Sequence, residues 1–300
     1  MDIYYSIIIP HKNSLDLLKR CVNSIPERDD VEIIIVDDNS DIARSEFPYQ
    51  ERKNVHYLFL DEKQSNFAGK ARNEGMKIAK GKWMLFADAD DYYTDYLNVF
   101  LDKYKNNTDY DIVYLSVNMV NDFGGVEPYF GNEYIKRYLE GRLYSEKNLR
   151  YRFWTPWSRM VRSDLIRNNN LYFEETPTGN DIYFGLTASR YATSIGCDTG
   201  IIYNYYRPFD GSITDKYYTI DTLNTRIRQI IKVNKLYDEV GYLFKIPLYR
   251  RFAPSIDMTR SQANEYKRVR NVIFKDNKVS LVSELYTLVV NACGILLGIK

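Results

Sequence analysis

Asp88-Ala89-Asp90-Asp91 sets three carboxylates in four residues, directly after the apolar run Trp83 to Ala87. Strand geometry repeats every two residues, so Asp88 and Asp90 can face one side. Hard divalent cations such as Mg²⁺ take one or two carboxylates and fill their other positions with phosphate oxygens. A nucleoside diphosphate supplies such oxygens. An acidic turn alone is weak evidence, but two further polar clusters lie in comparable places. Asp37 and Asp38 end the apolar run Val31 to Val36. A carboxylate there can accept from a base ring N–H or from ribose hydroxyls; the plain alternative is an acidic turn capping the next segment. Arg72 lies in the first turns of a helix expected after Asn66, placed for a phosphate or for pairing with Asp88. Gly69 permits close backbone approach, and the helix N-terminus adds N–H donors for an anion. The alternative for Arg72 is a solvated surface residue.

These residues need a frame that brings them together. Tyr4 to Pro10 is a short, nearly all-apolar run of β-formers, as expected of a central parallel strand. Asn13 or Ser14 can cap a helix bearing Leu15, Leu18, Val22 and Ile25. Val31 to Val36, Val55 to Leu60 and Trp83 to Ala87 read as further strands, and Asp111 to Val117 as another. Asn66 can cap a helix to about Ala79, and Thr94 one bearing Leu97, Phe100, Leu101 and Tyr104. Alternating strands and helices specify a mostly parallel, Rossmann-like α/β sheet flanked by helices. Ligands sit beyond the carboxyl ends of such strands, where His11 to Asn13, Asp37 to Ser40 and Asp88 to Asp91 fall.

The middle third is less regular. Gly124-Gly125 and Gly131 mark loops. Ser158 to Val161 reads as a short strand, and Ser163 can cap a helix from Asp164 to Asn168. Asn180-Asp181 opens a helix, Ile182 to Tyr191, and Ile201 to Tyr206 is β-rich. From Thr219 the pattern is helical. The chain therefore divides into an α/β region at 1–215 and a helical extension at 216–300.

The formal net charge of +1 gives no global basic field and argues against nucleic acid as a partner. Tyrosine, at 28 of 300 residues, suits carbohydrate surfaces but also follows from codon bias. Three dispersed cysteines, Cys21, Cys197 and Cys293, indicate a reduced, intracellular setting. The first ten residues read as a strand rather than a signal peptide. Between Leu281 and Ile299 the only charge is Glu284, and Lys267, Arg268, Arg270, Lys275 and Lys278 precede it. That tail fits an interfacial helix beside anionic lipid, or a helix packed on the domain or on a homodimer partner.

The blocks Ser6-Ile7-Ile8-Ile9-Pro10-His11-Lys12-Asn13, Val36-Asp37-Asp38-Asn39-Ser40, Gly69-Lys70-Ala71-Arg72-Asn73-Glu74-Gly75 and Phe86-Ala87-Asp88-Ala89-Asp90-Asp91 resemble, in order and spacing, the family 2 glycosyltransferases of GT-A fold. A weaker likeness continues through Trp157-Ser158-Arg159-Met160 and Asn180-Asp181-Ile182-Tyr183-Phe184. The resemblance implies inverting transfer from a nucleotide-diphospho-sugar with Mn²⁺ or Mg²⁺. It implies that Pro10 and His11 border the base pocket, joined by Asn13, and that Asp37 and Asp38 hold base and ribose. It implies that Arg72 approaches the pyrophosphate or the aspartates, that Asp88 and Asp90 form the metal motif, and that Asp181 is the catalytic base. Arg207 and Ser212 resemble the segment that covers the diphosphate. Asn180 stands where the family usually has an acid, and His11 where it usually has a small or apolar residue.

The chemistry agrees with those roles. Inversion at an anomeric carbon needs a base for the acceptor hydroxyl, and one carboxylate suffices. Without the resemblance, Asp181 reads equally as an N-cap. Trp154 and Trp157 can stack on an acceptor sugar, or pack internally. The sequence thus predicts a hexosyl- or N-acetylhexosaminyl-transferase. It would use a donor expected to be UDP-linked and a saccharide or lipid-linked acceptor in surface polysaccharide synthesis. It would act in the cytoplasm or at the inner face of the membrane. A non-catalytic nucleotide-sugar-binding protein is the alternative. A nucleotidyltransferase is disfavoured because Ser6 to Ser14 contains no glycine for an activating loop.

Overall fold

The computed structural model describes residues 2–63, 67–208, 220–248 and 259–298. Four strands form a parallel block in the order β3-β2-β1-β4: β1 (Tyr5–His11), β2 (Val31–Asp37), β3 (Val55–Phe59) and β4 (Trp83–Phe86). Ile7 pairs with Ile33 on one side and Leu85 on the other. Every residue of β1 and β2 is buried, which explains the unbroken apolar runs. Alternate side chains feed two layers. Ile7, Ile9, Ile33, Ile35 and Leu85 pack with Leu18 and Val22 of α1 (Leu15–Asn23) and with Leu97 and Phe100 of α3 (Tyr96–Tyr104). Ile8, Ile34, Met84 and Phe86 face Ala71 and Met76 of α2 (Phe67–Ile78).

Beyond β4 the nine-stranded sheet becomes mixed, running β4-β8-β6-β9-β5 with β7 paired off β6. The strands are β5 (Tyr92–Tyr93), β6 (Ile112–Val120), β7 (Val126–Pro128), β8 (Arg159–Arg162) and β9 (Ile195–Tyr206). β8 lies antiparallel between β4 and β6, while β6 and β9 are parallel. The α/β expectation holds, with the parallel part confined to the first four strands and the β6–β9 pair. Two helices precede β8 that the sequence pattern did not announce, α4 (Asn132–Leu139) and α5 (Ser145–Arg152). α4 buries only Ile135 and α5 reads SEKNLRYR, so neither shows a broad apolar stripe.

Two expected caps differ in detail. Ser163 is the first residue of α6 (Ser163–Asn168), and its hydroxyl donates to the Gly81 carbonyl at 2.5 Å instead of capping. Ser14 stands at the α1 N-cap, yet it is its backbone N–H that is engaged, donating to His11 Nε2 at 3.1 Å. Asn66 lies outside the described residues. α7 spans Ile182–Tyr191, as expected.

The extension contains α8 (Ile220–Glu239), α9 (Arg260–Asp276) and α10 (Leu281–Leu296). A third apolar cluster joins Tyr151 and Leu186 of the α/β region to Ile227, Ile230 and Tyr237 of α8. That cluster packs the helices after residue 220 onto the α/β region. Among the described residues no single helix is long and apolar enough to cross a membrane; the segments Ala263–Asp276 and Leu281–Leu296 meet at a 92° bend.

Candidate active site

The acidic turn after β4 sits on the carboxyl rim, with carboxylate oxygens of Asp88, Asp90 and Asp91 within 4.8 Å of one another. Their environments divide their roles. Asp91 is fully buried and accepts from Tyr203 Oη at 2.8 Å and the Tyr206 N–H at 2.7 Å. The same Tyr203 hydroxyl accepts the Asp88 N–H at 2.9 Å. Burial pushes the Asp91 carboxyl up, and the two donors oppose that. Asp91 therefore braces the turn, while Asp88 is half-exposed and Asp90 exposed toward the rim. The surrounding protein, with the Asp88 charge beside it, pushes Asp90 up to about 6. Two oxygen donors with no soft ligand fit a hard divalent cation, which would relieve that crowding.

Arg20 fixes the turn from α1. Its Nη2 donates to the Asp90 carbonyl at 2.5 Å, and its guanidinium lies 4.9 Å from the Tyr92 ring centre and 4.5 Å from that of Tyr206. Asp91 belongs to the acidic cluster read from the sequence, but neither Arg20 nor Tyr203 was singled out there. Tyr203 and Arg20 lie 112 and 71 residues from Asp91 along the chain, and nothing local marks their convergence.

Arg72 connects the acidic turn to the segment that opens α7. Its Nη2 pairs with Asp88, its Nη1 donates to Asn180 Oδ1 at 2.9 Å, and its guanidinium stands 5.3 Å from the Phe173 ring centre. It is buried, not a solvated surface arginine. Gly69 permits this approach: a Cβ there would lie 2.1 Å from the Glu174 carbonyl oxygen. Asp181 occupies the N-cap position of α7 with no side-chain capping bond, so its carboxylate is not used as a cap. Burial raises its carboxyl above the ordinary value, against the pull of Arg72 and, more weakly, Arg159. Arg159 is wholly buried under α7, donating to the Gly185 carbonyl at 2.8 Å and Ser189 Oγ at 3.0 Å.

A residue of the extension holds the same segment. Gln229 of α8 directs its amide nitrogen at Thr176 Oγ1 (3.0 Å), the Thr178 carbonyl (2.9 Å) and the Gly179 carbonyl (3.2 Å). Lys232, one turn on, pairs with Glu174 at 2.8 Å. Glu174 in turn donates its N–H to the Asn180 carbonyl at 2.9 Å.

At the carboxyl ends of β1 and β2, His11 and Asp37 bond to each other. His11 Nε2 accepts from Ser14 N–H, so its proton lies on Nδ1, which donates to Asp37 Oδ1 at 2.8 Å. Asp37 also accepts from Ser40 Oγ at 2.5 Å and Ser40 N–H at 2.9 Å. Despite its burial the carboxyl stays below the usual range, held there by His11 and Ser40. Asp37 is thus the acidic turn residue that staples the rim, and both ring nitrogens of His11 are engaged within the protein. Asn13 completes the staple, its N–H donating to Ser40 Oγ and its Oδ1 accepting from Asp41 N–H, each at 2.8 Å. Pro10 is buried opposite Val36. Asp38 lies beside them, 3.9 Å from Lys12 Nζ.

Trp157 departs from the expectation of an acceptor platform. It is buried and stacks on Tyr203 and Tyr205, with centroids 5.7 and 5.2 Å away, while Tyr129 meets it edge-on. With its ring enclosed it is core. Trp154 is half-buried against the third cluster, its carbonyl close against Gly185 of α7. Arg207 is exposed just after β9, its N–H bonded to the Val120 carbonyl at 2.8 Å. Ser212, with Gly211 and Ile213, lies outside the described residues.

A parallel-to-mixed sheet with an acidic turn after its fourth strand is the frame that the comparisons with known proteins match. The model of glycosyl transferase family 2 matches residues 6–168, more than half of the chain. This protein belongs to glycosyl transferase family 2. It is 39% identical over 93 residues to a poly(ribitol-phosphate) beta-glucosyltransferase of Bacillus spizizenii, covering 29% of this chain and 15% of that protein. It is 26% identical over 218 residues to the poly(ribitol-phosphate) beta-N-acetylglucosaminyltransferase TarS of Staphylococcus aureus, covering 69% and 36%. The crystal structure of S. aureus TarS 1–349 in complex with UDP-GlcNAc superposes with a TM-score of 0.61 at 19% identity, covering 96% of this chain and 79% of that one. The chain thus shares the GT-A fold, and it spans well under half the length of these two sequence relatives.

Proposed function

We propose that this family 2 glycosyltransferase moves a hexosyl or N-acetylhexosaminyl group from a UDP-sugar to a hydroxyl of a cell-surface polymer, with inversion. The relatives that act on poly(ribitol-phosphate) and the UDP-GlcNAc complex of a protein of the same fold support a UDP donor and a polyol-phosphate or saccharide acceptor. The observation that carries the proposal is Arg72, which ties Asp88 to the segment bearing Asn180 and Asp181. Leaving-group and acceptor chemistry are thereby held around one buried cation.

Asp88 and Asp90 would hold Mn²⁺ or Mg²⁺, which when bound offsets the charge developing on the departing diphosphate. Arg72 supplies fixed positive charge on the same side. Asp181 takes the acceptor hydroxyl proton as that oxygen bonds to the anomeric carbon. The bond from that carbon to the diphosphate breaks, and UDP leaves with the electron pair. Asp38 contributes the nucleoside contact on the rim that His11, Asn13 and Asp37 keep rigid, with Pro10 as its floor. Arg207 and Ser212 belong to the segment that would cover the diphosphate, and Trp154 borders the acceptor side. UDP-linked donors are cytoplasmic metabolites, so the catalytic half would work on that side of the membrane.

Calorimetric titration with UDP, GDP and their sugars, with and without Mn²⁺, tests the donor assignment. Metal-dependent binding of UDP or UDP-sugars, lost in Asp88→Ala, is the expected result. Absence of binding by every nucleotide would refute it.

A further inference from the structure

α10 is inside out for a helix on a water-facing surface. Its buried positions carry Glu284 (7% exposed), Thr287 (7%), Asn291 (6%) and Gly294, spaced along one face. Its outward positions carry Val282 (77% exposed), Leu285 (62%), Tyr286 (70%), Val289 (60%) and Leu296 (85%), with no charged side chain among the outward positions. The orientation is fixed by contacts. Asn291 Nδ2 donates to the Lys245 carbonyl at 2.9 Å, and a Cβ on Gly294 would lie 2.2 Å from the Phe244 ring. Rotating the helix to hide its apolar side would break both. An exposed apolar face of this size marks an interaction surface.

The flank of that face indicates what it meets. Lys267, Arg268, Lys275 and Lys278 are exposed on α9 and the turn into α10, against exposed Glu265 and Asp276. Sixteen residues of helix measure about 24 Å, short of a hydrocarbon core of about 30 Å. The chemistry is that of a helix lying in the plane of an anionic bilayer, apolar side down and cations at the headgroups.

We propose that the outward face of α10, with the cations of α9 and the turn, docks the enzyme on an anionic lipid surface. The proposal is independent of the donor and acceptor assignment. Flotation of the full chain with phosphatidylcholine vesicles, alone or mixed with phosphatidylglycerol, tests it, with light scattering to report the oligomeric state. The expected result is flotation with the anionic mixture only. Leu285→Glu with Val289→Glu should abolish it at unchanged melting temperature, and Lys275→Ser with Lys278→Ser should lower partitioning roughly thirtyfold. No flotation, or flotation that neither pair changes, overturns the proposal. A dimer that Leu285→Glu with Val289→Glu dissociates, without vesicle binding, assigns the face to a second copy and overturns it as well.

Discussion

At the scale of single residues, the acidic turn works because its three carboxylates are unlike one another. Asp88 and Asp90 face the rim, while Asp91 is held by Tyr203, whose hydroxyl also accepts the Asp88 N–H. Tyr203→Phe removes both contacts, taking the Tyr203 donor from Asp91 Oδ2 and the acceptor from the Asp88 N–H, while the Tyr206 N–H still serves Asp91 Oδ1. Urea titration should show a loss of about 1–3 kcal/mol, and Mn²⁺ affinity should fall with it. Asp181 gives a pH prediction. A base acts only when ionised, and burial raises its carboxyl above the ordinary 3.8. The active fraction therefore grows with pH through that raised value. The acidic limb of the kcat/KM profile should lie above the usual carboxylate range, and a limb at or below 3.8 would contradict the assignment.

At the scale of elements, β1, β2 and β4 were legible because each is buried along its length and reads as an apolar run followed by polar residues, whereas half-exposed β3 was legible from its β-forming residues alone; β1 runs through Pro10 to His11 instead of ending at the proline. The rim was legible for the same reason, since polar residues follow each run. α4 and α5 were not, because they pack through few apolar side chains, and β8 was legible as a strand but not as one running antiparallel. The two tryptophans show another limit. Composition cannot tell a stacking platform from a core residue, and only the fold places Trp157 across Tyr203 and Tyr205. His11 and Asp37 were found as site residues, but their mutual hydrogen bond depends on the strand register that sets His11 opposite Asp37. The α8 latch was invisible in sequence for the reason that hid Tyr203: Gln229 lies 48 residues from Asp181 and carries no motif. Gln229→Leu should loosen the segment from Thr176 to Asp181. The expected outcome is a fall in kcat of about tenfold, with donor Kd within about twofold of wild type. Unchanged kcat would make the latch purely structural.

At the scale of the whole molecule, the α/β region and the helical extension share one of the three apolar clusters. Tyr151 and Leu186 are buried against α8, and Gln229 reaches from the extension to the segment carrying the candidate base. A chain ending at residue 215 would expose those side chains. It should lose cooperative thermal unfolding and aggregate, as differential scanning calorimetry and light scattering would show. A cooperative, monodisperse 1–215 fragment would make the two regions separable. The same fold leaves α10 with its apolar side outward.

In the proposed reaction Asp181 takes a proton during transfer of a sugar from a nucleotide held at Asp88 and Asp90. Initial rates of UDP release, measured with saturating UDP-sugar, Mn²⁺ and a poly(ribitol-phosphate) acceptor, compare wild type with Asp181→Asn most directly. The prediction is acceptor-dependent release that falls by about 10²–10⁴-fold in the variant while donor Kd is unchanged. Turnover by Asp181→Asn within about twofold of wild type would contradict the account.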